Sequence, residues 1–122
     1  MTQKNLVLYR EHKRPLVWDA FYNADSKAKP LVLFCHGYKG FKDWGAWGLV
    51  AETFAKAGFF FLKFNFSHNG GTIEQPIDFP DLEAFANNNF SLELDDINRV
   101  VDFISSENSY SKEINSEKIN LI

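Results

Sequence analysis

A chain of 122 residues holds one hydrophobic core, and folding it buries roughly two thirds of the surface the unfolded form exposes. Its formal charge of -3, with 13 Lys and Arg scattered among 16 Asp and Glu, offers no basic stripe and excludes nucleic acid as a partner; the lone Cys35 excludes an intrachain disulfide. No run approaches the roughly 20 apolar residues of a membrane span and Leu6–Tyr9 is too brief for a signal-peptide core, so the expectation is a soluble, cytoplasmic protein with no membrane partner.

In chain order, residues 4 to 10 and 15 to 23 read as two strands in a hairpin-like pattern, separated by the charged segment Arg10 to Pro15. Asn23 to Pro30 is a polar linker, and Leu31 to Cys35 is a continuous apolar run, as in a parallel strand covered on both faces. Trp47, Val50, Ala51 and Phe54 give a helix over 46–57 an apolar stripe, closed by Gly58. The strand Phe59 to Phe66 follows, with Phe60, Leu62, Phe64 and Phe66 on one face, completing a βαβ unit.

Ser67 to Phe90 is a long connector holding Gly70, Gly71, two prolines and an Asn87–Asn89 run, with a short helical turn at 81–86. Ser91 is expected to cap a second helix, with Glu93 in its first turn and Leu94, Ile97, Val101 and Ile104 on one stripe. After the polar stretch 105–118 a last strand starts, and the chain ends within it. The organisation is a single partial domain over 1–122: N-terminal strands and linker at 1–30, βαβ unit at 31–66, long loop at 67–90, then helix and truncated strand at 91–122.

Few residues suit chemistry. A nucleophilic serine in an α/β architecture sits in G-x-S-x-G, and no such run exists; Ser67, after Phe66, reads as a turn serine bonding to backbone. His12 is solvated among charges, His36 pins the loop that follows its strand, and His68 stands where open sheets face their ligands. Cys35 and His36 point to opposite strand faces, which argues against a metal, and Asp95–Asp96 reads as a solvent-exposed pair. Gly37-Tyr38-Lys39-Gly40 matches no nucleotide fingerprint; Gly37 and Gly40 permit a tight, left-handed turn that gathers N–H donors for a developing oxyanion.

Phe34-Cys35-His36-Gly37-Tyr38-Lys39-Gly40, followed by Asp43-Trp44 and a helix, resembles the His-Gly oxyanion loop of the α/β-hydrolase superfamily, closest to its dienelactone-hydrolase-like and prolyl-oligopeptidase-like members. Phe64 to Gly70 is similar to the loop after that family's next strand, and Leu94 to Ile104 to the helix before its nucleophile strand. The resemblance implies a three-layer αβα fold with a mostly parallel sheet, of which this chain is the N-terminal half, with the Leu31 strand between the Phe59 and Ile119 strands. It implies a serine hydrolase acting on a small ester or amide through an acyl-enzyme, with no cofactor and no metal. The Tyr38 backbone N–H would be one oxyanion donor, with His36, Gly37 and Gly40 shaping the loop and Ser67, His68 and Asn69 facing substrate. Nucleophile, acid and base would all lie beyond Ile122, leaving the chain alone inactive and prone to self-association or to association with the C-terminal half. The competing expectation is a small non-catalytic α/β binding or assembly module.

Overall fold

The computed structural model describes residues 1–122, as five strands and three helices. In chain order they are β1 (Thr2–Leu8), β2 (Leu16–Phe21), β3 (Lys29–Cys35), α1 (Trp47–Lys56), β4 (Phe60–Phe64), α2 (Leu82–Ala86), α3 (Phe90–Ser105) and β5 (Ile114–Leu121). The sheet order is β1-β2-β4-β3-β5. β3 runs parallel to both β4 and β5 and lies between them, as expected, whereas β1–β2 and β2–β4 are antiparallel. The sheet is therefore mixed rather than mostly parallel, because the N-terminal hairpin joins it through β2 against β4. No helix is long and apolar enough to cross a membrane.

Alternation along β3 and β4 feeds two separate cores. Leu31, Leu33, Phe60, Leu62 and Phe64 join Val100 and Ile104 of α3, while Val32, Phe34 and Phe61 join Ala51 and Ala55 of α1. All five residues of β4 are buried, so its side chains meet protein on both sides and the run has no polar face to spare. Its one charged member, Lys63, must find partners inside.

The helix ends follow from local chemistry. Gly58, at φ 94°, terminates α1: its N–H bonds to the Ala55 carbonyl and the Phe59 N–H to that of Phe54, while the Phe54 and Phe59 rings meet edge-on at 5.6 Å. α3 starts earlier than the sequence suggests. Asn89, not Ser91, is its cap, its side chain accepting the Leu92 N–H at 2.9 Å. Leu94 is 61% exposed and leaves the expected stripe; Asp96, expected in solvent, is buried.

Two strands extend beyond their apolar runs. β3 takes in Lys29 and Pro30 from the expected linker, because the buried Lys29 ammonium is held by Glu113 at 2.7 Å and Asp25 at 2.9 Å. β5 begins at Ile114 rather than near Lys118, and its pairing with β3 jumps from Pro30–Asn115 to Leu31–Ile119. The polar residues Ser116, Glu117 and Lys118 are thereby bulged outward, and only the Ile119–Ile122 end continues the ladder.

Candidate functional site

At the C-terminal end of β3 the chain leaves the sheet through His36, whose two ring nitrogens are both committed. Nε2 accepts the Phe66 backbone N–H at 3.1 Å, and Nδ1 lies 2.9 Å from the Gly37 carbonyl. A ring that accepts at Nε2 and donates at Nδ1 is neutral, so its tautomer is fixed by two backbone partners. The Gly37 carbonyl also accepts the Gly40 N–H at 2.9 Å, closing the turn 37–40. His36 thus stitches this turn to the residues just past β4.

The left-handed residue in the turn is not a glycine. Lys39 has φ 59°, while neither Gly37 nor Gly40 has a positive φ. Gly40 is needed for space: a Cβ there would stand 2.8 Å from the Gly37 oxygen and 3.2 Å from His36 Nδ1. Gly37 has open space around it. The N–H groups of Gly37, Tyr38 and Lys39 have no partner within the chain, and the Tyr38 ring stacks on Phe85 at 5.7 Å. A backbone donor at Tyr38 is thus held by a turn with two anchors.

Burial holds the His36 pKa below its ordinary value of 6.5. On acidification the unfolded chain therefore takes up this proton first, so the stability that depends on a neutral ring is complete above about 6.5 and is lost as pH falls below it towards the folded value. Urea unfolding across neutral to mildly acidic pH is expected to show this loss, and His36→Gln to flatten it. An identical pH slope in the variant would contradict the assignment.

Beneath the turn lies a charge cluster that sequence reading missed. Lys42 and Lys63 are fully buried, and so is Asp19, the residue opposite Lys63 on β2. Lys42 Nζ contacts Asp19 at 2.8 Å and Asp43 at 2.6 Å; Lys63 Nζ contacts the same two carboxylates at 3.2 and 2.9 Å. Two buried cations face two carboxylates, and the half-exposed Lys4 adds a third cation at 3.2 Å from Asp43. Although burial pushes the Asp43 pKa up, the two ammonium groups outweigh it and hold the carboxyl well below its usual range.

The cluster also grips backbone. Lys63 Nζ donates to the Lys42 carbonyl at 2.8 Å, and the Lys42 N–H donates to Asn65 Oδ1 at 2.7 Å. Asn5 completes it from a bulge in β1, with φ 55°, its N–H on Asp19 at 2.8 Å and its Oδ1 accepting from Lys42 at 2.8 Å. The segment just after Gly40 is therefore fastened to β1, β2 and β4 together. The available signal was a single charged residue inside each of two apolar strands, Asp19 in LVWDAF and Lys63 in FFLKF.

The residues after β4 divide. Asn69 joins the turn, with Nδ2 donating to the Gly40 carbonyl at 3.3 Å, and shares with Tyr38, Phe66, Phe85 and Glu93 a cavity of about 30 Å³. Ser67 is buried: its N–H donates to Asp96 at 2.7 Å, its carbonyl accepts from Arg14 at 2.9 Å, and its Oγ bonds with His68 Nδ1 at 2.7 Å. Neither Ser67 nor His68 lines the cavity beside Tyr38. Burial, then the Arg14 charge, lowers the His68 pKa, and burial raises that of Asp96. These groups tie β4 to α3 and, through Arg14 and Asp81 at 2.7 Å, to the long loop.

Cys35 offers no thiolate nucleophile. Burial, with Glu93 nearby, pushes its thiol up to about 11. What the site presents is a fixed donor and a shaped wall, with no activated nucleophile beside them.

The fold is similar to that of solved structures. One is "Crystal structure of hypothetical protein PA2218 from Pseudomonas Aeruginosa", with TM-score 0.66 and 22% identity over 99% of this chain and 34% of that one. Another is "Crystal Structure of Putative Dienelactone Hydrolase from Klebsiella pneumoniae subsp. pneumoniae MGH 78578", with TM-score 0.63 and 15% identity over 99% of this chain and 48% of that one. At these identities the likeness is one of fold, and this chain spans less than half the length of either protein. No family model matches the chain, and no curated protein matches it.

Proposed function

We propose that residues 1–122 are the N-terminal, oxyanion-loop half of a three-layer αβα serine hydrolase that acts on a small ester or amide. The observation that carries this reading is the unpartnered Tyr38 N–H, held by the His36 stitch at the C-terminal end of β3. The fold shared with a structure named as a dienelactone hydrolase supports it. In acyl transfer a nucleophile adds to the carbonyl carbon and the carbonyl oxygen gains charge; a donor fixed in advance stabilises that charge without reorganising, and removing one costs about 2.7–4 kcal/mol of barrier. Tyr38 would supply one such donor. The nucleophile, its acid and histidine partners, and the second donor would come from outside these residues.

Residues 1–122 alone are then expected not to turn over p-nitrophenyl acetate. Repeated turnover that a serine-reactive phosphonate abolishes would overturn this. The outer edge of β5, with Leu121 and Ile122 more than half exposed, would be the face on which the rest of the sheet or a second copy docks. Light scattering after size exclusion is expected to show a mass that grows with concentration; a monomer at all concentrations would contradict the docking face.

A further inference from the structure

We infer that the outer side of the 37–40 turn, where it meets the start of α1, binds an aromatic carboxylate. This inference needs no nucleophile and stands apart from the hydrolase reading. A cavity of about 310 Å³ lies there, lined by Tyr38, Lys39, Trp44 and Trp47 with Gly37, Gly40 and the neutral His36, whose ring nitrogens are already bonded. That volume is at the lower end of small-molecule sites, which begin at about 300 Å³.

The walls select a flat apolar body. Tyr38 is 84% and Trp44 58% exposed, an arrangement that leaves two large rings in water beside one another's cavity. Trp47 is braced from behind by Phe34, with ring centroids 4.6 Å apart, so one indole is fixed in place. A planar ring entering between them stacks without displacing buried structure.

The polar groups select an anion. No carboxylate lines the cavity. The nearest along the chain, Asp43, is already engaged by Lys4, Lys42 and Lys63. Lys39 Nζ stands 5.7 Å from the Tyr38 ring centroid, which keeps the ammonium at the cavity. The N–H groups of Gly37 and Lys39 are unpartnered, and the Gly37 carbonyl is already used by both His36 and Gly40. The Lys39 ammonium and these free N–H groups match a carboxylate, which only accepts; a carboxamide would bring two donors of its own. A Cβ at Gly37 would meet nothing within 4 Å, so the approach is open.

The test is a titration of the 122-residue chain with benzoate, benzamide and inorganic phosphate, read by tryptophan emission. Trp18 is buried elsewhere and reports no contact. Benzoate is expected to change the emission saturably and to bind more tightly than either of the others, with affinity that falls as salt is added. Lys39→Gly, which also relieves the positive φ, is expected to weaken benzoate about three- to five-fold, the scale of an exposed charge pair. Trp44→Leu, on an exposed side chain, is expected to weaken it several-fold through the lost stacking. Benzamide equal to benzoate, phosphate equal to benzoate, no saturation, or an unchanged Lys39→Gly titration would each overturn the proposal. Each outcome leaves the p-nitrophenyl acetate result, and so the hydrolase reading, to be judged separately.

Discussion

Lys63→Met is expected to destabilise the chain by about 3–5 kcal/mol, the cost of removing one partner from a buried ion pair. The methionine fills the same space, so the loss comes from charge rather than from a cavity. Lys63 neutralises both Asp19 and Asp43, and without it the buried Asp19 and the half-buried Asp43 share Lys42 as their one buried cation, with only the exposed Lys4 added beside Asp43. The Lys42 carbonyl would also lose its donor. Urea unfolding measures the effect as a lower midpoint at an unchanged slope. Asp19→Asn combined with Lys63→Met removes one charge of each sign and is expected to recover part of the loss, since the charges left on Lys42 and Asp43 balance. A single variant within about 0.5 kcal/mol of the parent would show that the cluster holds nothing.

Gly40→Ala is expected to cost about 1–3 kcal/mol and to displace the Tyr38 donor. A methyl group there would collide with the Gly37 oxygen at 2.8 Å, which is backbone and already bonded to the Gly40 N–H, and would crowd His36 Nδ1 at 3.2 Å. Relief requires the turn to open, and opening it breaks the hydrogen bond that defines it. Gly37→Ala, three residues away, meets no atom within 4 Å and should stay within about 0.5 kcal/mol of the parent. Amide spectra separate the two variants: the Lys39 signal, two residues from Gly37, moves in the first and holds in the second. Equal effects would mean that the turn does not depend on this close approach.

These two expectations mark where sequence reading stopped. The βαβ unit was legible because its periods are: Trp47, Val50, Ala51 and Phe54 at helical spacing, Phe60, Leu62 and Phe64 at strand spacing, and Gly58 between them. The position of β3 between β4 and β5 followed from the family resemblance, and the register confirms it. Residues that make sense only in three dimensions were not legible. Lys42 and Asp43 look like any polar loop pair, and their partners Asp19 and Lys63 lie 23 and 20 positions away on β2 and β4, brought near by strand pairing. Asp96 looked like half of an exposed acidic pair until the Ser67 N–H gave it a buried partner.

The turn itself was half legible. Its glycines announced tightness, and the structure places the tightness at Gly40 while giving the left-handed backbone to Lys39. Asn and Lys can take that conformation when surroundings hold them there, so composition alone points first to glycine. The same holds for the strand ends. The reach of β3 to Lys29 depends on Glu113, 84 residues on, which no local window contains.

The proposed role of Tyr38 is to offer its N–H to a carbonyl attacked by a nucleophile on the turn that β5 leads into. The sequence of the reading frame past the Ile122 codon tests it most directly. The account predicts a G-x-S-x-G run within a few residues of Ile122, followed later by an acid and a histidine in that order. A stop codon directly after Ile122, or a continuing frame with no such run, would contradict it.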